Sequence, residues 1–122
     1  MLPINLTALI VDDELISRTL LKICLGHATT FLEARDGVEA LEVIRAKKPD
    51  VVFLDISMPG SLSGIDVLRV LRQDPEVKDM HVVIVSGHPR EDFAQADVLM
   101  ANAYITKPCC KQDLLDWYSS YE

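Results

Sequence analysis

The sequence contains no apolar run that approaches the roughly 20 residues needed to cross a bilayer. Its first residues also lack the basic start and the apolar stretch of a secretory signal peptide. Basic residues are outnumbered, with 12 lysines and arginines against 19 aspartates and glutamates and a net charge of −7. This balance argues against direct nucleic-acid and membrane partners, because both need a basic face. We therefore expect a cytoplasmic protein.

Cysteine is also scarce, with three residues and neither a Cys-x-x-Cys pair nor a histidine at ligand spacing. This pattern indicates a reducing compartment and no cysteine metal site. Cys109 and Cys110 follow Pro108 at the predicted start of a helix, where a thiolate is favoured. Two ordinary small residues are nevertheless the preferred interpretation over a redox sensor.

What the sequence does contain is a set of short apolar runs that each end in a polar residue. The central run is Val51–Leu54, followed by Asp55. Ala8–Val11 ends in Asp12 and Asp13, Val82–Val85 in Ser86, and Ala103–Thr106 in Lys107. Short runs of this composition are typical of buried strands. Ligands of open parallel sheets bind at the carboxyl ends of the strands, so we expect these polar groups to meet at one edge.

Helical patterns separate the predicted strands, which include a further one at Thr29–Glu33. The first predicted helix ends at Gly26 and should face inward with Ile16, Leu20, Ile23 and Cys24, and the second is capped by Asp36 and should face inward with Val38, Leu41 and Ile44. The third runs from about Gly64 to Arg72 with Ile65, Leu68 and Leu71 inward, and the fourth from about Arg90 to Met100 with Phe93, Ala96 and Leu99 or Met100 inward. The fifth begins near Lys111, with Leu114, Trp117, Tyr118 and Tyr121 inward. Strict alternation predicts one doubly wound α/β domain, with a parallel sheet and helices on both faces. Alternation alone does not fix the strand order, but the order 2-1-3-4-5 would place Asp12 and Asp55 on neighbouring strands.

The polar residues at these strand ends resemble a known family. Asp12-Asp13, Asp55 followed by Met58-Pro59, Ser86 and Lys107-Pro108 are similar to the receiver domain of two-component response regulators, and the resemblance covers essentially residues 1–122. It implies a flavodoxin-like fold of five strands in the order 2-1-3-4-5 with five helices.

The resemblance also implies a role for each matching residue. Asp55 would be the phosphoacceptor, while Asp12, Asp13, Asp55 and the backbone carbonyl of Ser57 would hold Mg²⁺, for which Mn²⁺ could substitute. Asp12 would act mainly through a metal-bound water. Lys107 would contact the phosphoryl group, Ser86 would bond to it after transfer, and Tyr104 matches the position of a switch aromatic. The Lys107–Pro108 bond is expected to be cis.

Two positions depart from the family pattern. Glycine stands nine residues after Asp55, at Gly64, and Ser63 occupies the usual place; we interpret this as one extra loop residue. Met100 stands where a glycine usually ends the fourth helix, so that end is either strained or built differently, with Asn102 as a substitute cap.

The implied function is that of a signalling module without an external substrate. Its phosphodonor would be a histidine kinase or a histidine phosphotransfer protein, and its output a downstream effector, with homodimerisation as a further option. Leu21 and Leu25 would form a docking face for the donor if exposed, and core otherwise. The alternatives are an aspartate-nucleophile phosphohydrolase, which would usually have a second aspartate where Ser57 stands, and a phosphorylation-independent scaffold.

Overall fold

The computed structural model describes residues 6–26, 29–58, 60 and 62–121. Five parallel strands form one sheet in the order β2-β1-β3-β4-β5. The strands are β1 (Thr7–Val11), β2 (Thr30–Ala34), β3 (Val51–Leu54), β4 (His81–Ser86) and β5 (Ala103–Thr106). Within these residues the helices are α1 (Leu15–Leu25), α2 (Gly37–Lys47), α3 (Gly64–Gln73), α4 (Gln95–Val98) and α5 (Lys111–Tyr121). The predicted fold class and strand order are confirmed.

The sheet separates two apolar cores. Side chains alternate along each strand, so Val52 and Leu54 pack with α2 and α3, whereas Phe53 packs with α1 and α5. Covering both faces explains why β3 is apolar along its whole length. None of the helices within the described residues has the length and apolar character that a membrane crossing requires.

The inward stripe predicted for α5 is confirmed. Leu114 and Trp117 are buried, and Tyr118 and Tyr121 pack against the same core. The Trp117 ring meets Phe53 edge-on, with centroids 5.1 Å apart. Its indole Nε1 donates a hydrogen bond to Nε2 of His81 at 2.9 Å, so His81 is held as a neutral acceptor.

The inward face predicted for α1 is wrong. Leu15, Ile16, Leu20 and Ile23 are 64%, 75%, 50% and 70% exposed, and Cys24 is half-buried. Arg18, Leu21 and Leu25 face the sheet instead. The physical reason is Arg18, whose Nη1 donates to the Asp12 carbonyl at 2.8 Å and whose Nε donates to Glu33 at 3.0 Å. These bonds turn its side of α1 inward.

Helices α2 and α3 follow their predicted patterns more closely. Asp36 caps α2 by accepting a hydrogen bond from the Glu39 N–H at 2.9 Å. Leu41 and Ile44 are buried as expected, but Val38 is 49% exposed, because Ala40 takes the inward position. The three predicted residues of α3, Ile65, Leu68 and Leu71, are all buried.

A continuous fourth helix from Arg90 to Met100 is not formed. A 3-10 turn at Arg90–Asp92 is followed by extended backbone at Phe93 and Ala94, and α4 then covers only Gln95–Val98. The break lets Val98 enter the core, while Phe93 and Met100 pack at its margin. Ala96, which was expected to face inward, is exposed; of the alternatives Leu99 and Met100, Leu99 is exposed and Met100 packs against the core.

Candidate functional site

The fold brings four strand ends to one edge of the sheet. β1 and β3 are paired neighbours, and the Asp55 N–H donates to the Val11 carbonyl at 2.9 Å, which places Asp55 beside Asp12. Ser86 ends β4, and Lys107 follows β5. The predicted convergence of these groups therefore has a geometric basis in the strand order.

Three carboxylates meet at this edge. Asp12, Asp13 and Asp55 each offer an oxygen, and these oxygens all lie within 4.8 Å of one another. Asp12 and Asp55 are both 5% exposed, whereas Asp13 is open to solvent. Clustered carboxylate oxygens with one open side are the ligands that Mg²⁺ prefers in proteins, so the residues present fit that cation.

Arg18 and Glu14 hold Asp12 in place. The Arg18 guanidinium binds the Asp12 carbonyl, and the Glu14 N–H donates to Asp12 Oδ1 at 2.9 Å. The apolar pattern of the first helix gave no sign of a buried arginine, so the sequence did not indicate this contact. Asp55 is fixed similarly, by the N–H of exposed Ser57, which donates to Oδ1 at 3.1 Å.

Lys107 lies between the buried carboxylates. Its Nζ is 2.6 Å from Asp12 Oδ2 and 3.4 Å from Asp55 Oδ2. Burial alone would lower the pKa of Lys107, but its hydrogen bond to Asp12 and the two negative charges outweigh burial and raise the pKa. Lys107 is therefore held as a cation at this edge.

Unlike Lys107, which is held in its charged form, Asp55 has surroundings that favour its neutral form. Burial raises the pKa of its carboxyl, and the charge of Asp12 raises it further, against the opposing effects of Lys107 and the Ser57 N–H. Because burial and, to a smaller extent, the charge of Asp12 favour the neutral form, a divalent cation at the carboxylates would favour the ionised form of Asp55.

Ser86, His88 and Tyr104 form a hydrogen-bonded group next to this edge. Ser86 is fully buried, and its Oγ accepts a hydrogen bond from the His88 N–H at 3.1 Å. The Tyr104 hydroxyl donates to the His88 carbonyl at 2.8 Å. Burial raises the pKa of Tyr104 even though a hydrogen bond to Ser86 opposes the shift. Tyr104 is half-buried, and the bond of its hydroxyl to the His88 carbonyl holds it against the loop that follows β4.

The loop after Asp55 closes on Gly64. A Cβ at this position would overlap the Asp55 carbonyl oxygen and lie 2.6 Å from Ile56 Cα, so only glycine fits. Ser63 caps α3 instead: its Oγ accepts from the Asp66 N–H at 3.2 Å, and its own N–H donates to Asp66 at 3.0 Å. The close-packed glycine is thus Gly64, nine residues after Asp55, which is consistent with the interpretation of one extra loop residue.

The segment between α4 and β5 is built without a left-handed residue. The one non-glycine residue with positive φ among those described is Lys48. Arg72 of α3 donates to the Met100 carbonyl at 2.8 Å and to Asn102 Oδ1 at 3.1 Å. Asn102 Oδ1 also accepts from the Val82 N–H at 2.8 Å. The expectation that this end is built differently is confirmed, but Asn102 as a substitute cap is wrong, because its side chain accepts from Arg72 and Val82 and not from α4. The part played by Arg72 was missed, because nothing in the α3 sequence signals it.

The turn after Lys107 also has the predicted backbone. The Lys107–Pro108 peptide bond is cis. Cys109, which follows it, is half-buried, and burial raises the pKa of its thiol to about 12. Cys109 is therefore a thiol and not a thiolate, in agreement with the preferred interpretation of an ordinary small residue.

Comparison with known proteins agrees with this geometry. Residues 8–118 match the family described as "Response regulator receiver domain". The chain is 37% identical over 108 residues to the chemotaxis protein CheY-3 of Vibrio cholerae, covering 85% of this chain and 82% of the relative. It is 36% identical to the phosphate regulon transcriptional regulatory protein PhoB of Pseudomonas aeruginosa, covering 89% of this chain but only 48% of PhoB. This chain thus spans about half the length of that relative.

Solved structures show the same architecture. A CheY-like receiver domain from Methylobacillus flagellatus superposes with a TM-score of 0.84 at 27% identity, covering 96% of this chain and 98% of that one. The phosphorylated cyanobacterial phytochrome response regulator RcpA superposes with a TM-score of 0.78 at 26% identity, covering 96% and 91%.

Proposed function

This chain belongs to the response regulator receiver family, and we propose that it accepts a phosphoryl group on Asp55 in two-component signalling. The observation that carries the proposal is the meeting of Asp12, Asp13 and Asp55 at one sheet edge, with the Lys107 ammonium 3.4 Å from Asp55. The solved phosphorylated relative RcpA adds support.

Asp12, Asp13 and Asp55, together with the backbone carbonyl of Ser57, would hold Mg²⁺, and Mn²⁺ could take its place. Once bound, the cation offsets the repulsion among the carboxylates and the negative charge of the incoming phosphoryl oxygens. The fit rests on the oxygen donors and their mutual distances within 4.8 Å.

In the proposed reaction, a carboxylate oxygen of Asp55 attacks the phosphorus of a phosphohistidine. An O–P bond forms, the N–P bond breaks, and its electron pair remains on the imidazole nitrogen of the donor. An ionised carboxylate needs no general base to act as nucleophile. The Lys107 ammonium neutralises charge on the transferring phosphoryl oxygens, which is the main catalytic requirement of such a transfer.

The Ser86 hydroxyl would then donate to a phosphoryl oxygen. Because Ser86 Oγ is bonded to the His88 N–H and the His88 carbonyl to Tyr104, movement of Ser86 would alter the loop that holds the Tyr104 ring. The change would reach the surface of α4, β5 and α5, where we place binding of a downstream effector and homodimerisation.

The donor would be a histidine kinase or a histidine phosphotransfer protein, and α1 offers its docking face. Leu21 and Leu25 are buried, so of the two interpretations left open for them the core is confirmed, and they form no docking face. We assign the docking face instead to the exposed apolar stripe of α1, which is formed by Leu15, Ile16, Leu20 and Ile23. A contiguous apolar patch beside a reactive centre is typical of an interaction surface.

The test is the intact mass of the protein after incubation with Mg²⁺ and acetyl phosphate. We expect the wild type and an Asp79→Asn control to gain one phosphoryl group, and Asp55→Asn or an EDTA-treated sample to gain none. Asp79 is an exposed aspartate outside the described carboxylate group, which makes it a matched control.

Other outcomes would favour the alternatives. No gain from acetyl phosphate or from a histidine kinase would contradict the proposal and support a phosphorylation-independent scaffold. Repeated Asp55-dependent turnover of p-nitrophenyl phosphate would identify an aspartate-nucleophile phosphohydrolase instead. The present geometry favours the receiver, because exposed Ser57 stands where such a hydrolase would carry its acid/base aspartate.

A further inference from the structure

A cavity of about 250 Å³ lies beneath the site, on the face of the sheet covered by α1 and α5. Phe53 and Val85 form part of its floor, Leu20 and Leu21 line the α1 side, and Cys109 lines the opposite side. Small-molecule sites are concave and mostly apolar, with a small number of polar groups that orient the ligand. A space of this size beside a reactive centre is therefore a candidate binding site.

The walls of the cavity favour an apolar occupant. A bound water needs two to four polar partners, and Phe53, Val85, Leu20 and Leu21 provide no side-chain donor or acceptor. Ser17 adds one hydroxyl to the lining, and its Oγ lies 3.5 Å from the Lys107 Nζ. An engineered apolar cavity of about 150 Å³ binds benzene. The cavity here is larger, so it has room for a ring with a short chain.

The mouth of the cavity is charged. Asp12, Asp55 and Lys107 all line it, and Asp13 contributes a third carboxylate within 4.8 Å of the other two. Three carboxylates against one ammonium leave an excess of negative charge when all are ionised. A ligand with its ring in the cavity would thus gain from a cationic group at the mouth.

We propose that this cavity binds a compact apolar amine, whose ring lies against Phe53 and Leu21 and whose ammonium group pairs with Asp12 and Asp55. Binding itself is independent of the phosphorylation proposed above. One consequence does rest on that function: an ammonium group at these carboxylates would compete with Mg²⁺ and so slow phosphorylation of Asp55.

Three small probes of similar shape and different charge test the proposal: 2-phenylethylamine, 2-phenylethanol and phenylacetate. Each is titrated into the full chain, without phosphodonor, by calorimetry and by NMR of the methyl groups of Leu20, Leu21 and Val85. We expect the amine to bind about tenfold more tightly than the alcohol, as one charge-assisted pair allows, and phenylacetate not to bind. Added Mg²⁺ should raise the Kd of the amine and leave that of the alcohol unchanged.

Cavity-filling variants test whether the amine binds in this cavity. Cys109→Leu places a larger side chain into the space, and Cys110→Leu is its matched control, because Cys110 is exposed and does not line the cavity. We expect amine affinity to fall about tenfold in Cys109→Leu and to stay unchanged in the control. If Cys109→Leu does not fold, Val85→Ile fills the cavity from the sheet side.

Equal affinity for the three probes would overturn the proposal, as would unchanged amine binding in a folded cavity-filling variant. Neither result depends on phosphoryl transfer. Failure of the cavity proposal is therefore distinguishable from failure of the proposed function.

Discussion

Replacing Arg72 by methionine should destabilise the protein more than its half-exposed position suggests. The guanidinium makes four hydrogen bonds: to the carbonyls of Met100 at 2.8 Å, Lys78 at 2.9 Å and Met80 at 2.7 Å, and to Asn102 Oδ1 at 3.1 Å. A hydrogen bond from a charged group contributes about 1.5–3 kcal/mol, and water can replace the more exposed ones. We therefore expect the free energy of unfolding to fall by about 2–4 kcal/mol, well below the sum of the four bonds.

Urea denaturation measures this loss, with Arg69→Met as the matched control. Arg69 lies one turn earlier on α3 and makes an ion pair with Asp97 at 2.8 Å, but its side chain is 51% exposed. Exposed ion pairs contribute little to stability, so the control should lose clearly less. Hydrogen exchange should also accelerate locally in Arg72→Met, at the amides of Met100 and Asn102. Equal losses in the two variants, with unchanged exchange, would refute the reasoning.

Three further predictions concern separate parts of the molecule. Ile16→Glu, on the exposed stripe of α1, should slow phosphoryl transfer from a histidine kinase but leave phosphorylation by acetyl phosphate intact. Val38→Glu, on the exposed side of α2, is its control, and equal transfer rates would dismiss docking on α1. Burial, with the charge of a nearby arginine, lowers the pKa of His81 below 6.5 in the folded protein. As the pH falls, His81 is therefore protonated at a higher pH in the unfolded chain than in the folded protein. We therefore expect the free energy of unfolding to be highest above pH 6.5 and to decline as the pH falls from there through the folded pKa. Urea midpoints measured across this range should decline less in His81→Gln; identical pH profiles for the two proteins would contradict this. Finally, iodoacetamide at pH 8 should modify exposed Cys110 well before Cys109, whose pKa burial raises to about 12; peptide mass mapping that found equal modification would count against that shift.

The strands and their polar ends were predictable from the sequence because each strand is a short apolar run with an abrupt end. β3 is the clearest case, with Val51–Leu54 wholly apolar and Asp55 directly after it. Because β3 is buried on both faces, it lacks the alternation of apolar and polar residues that would otherwise interrupt the apolar run. Strand order came from the family resemblance, since alternation of strands and helices is compatible with several orders.

The helices that were misjudged carry competing apolar faces. α1 has apolar residues on both sides, so periodicity could not choose between Leu20 and Leu21. The choice depends on Arg18, which bonds to Asp12 just after β1 and to Glu33 of β2. The fourth helix was overextended because Phe93 and Ala96 fit a helical spacing. Contacts between α3 and α4, such as Arg69 with Asp97, are tertiary and leave no local signal.

The contact between Gly64 and the Asp55 backbone bears on how this protein tolerates change in chain length. Gly64 sets the distance between α3 and the end of β3, and the Ser63–Asp66 cap starts the helix there from local interactions alone. Of the described residues between Ser57 and Ser63, namely Met58, Gly60 and Leu62, none takes part in either contact. We therefore expect insertions in this loop to change its surface and to leave Asp55 in position. Under the proposed function, contacts with partners and the chemistry at Asp55 could then change independently in evolution.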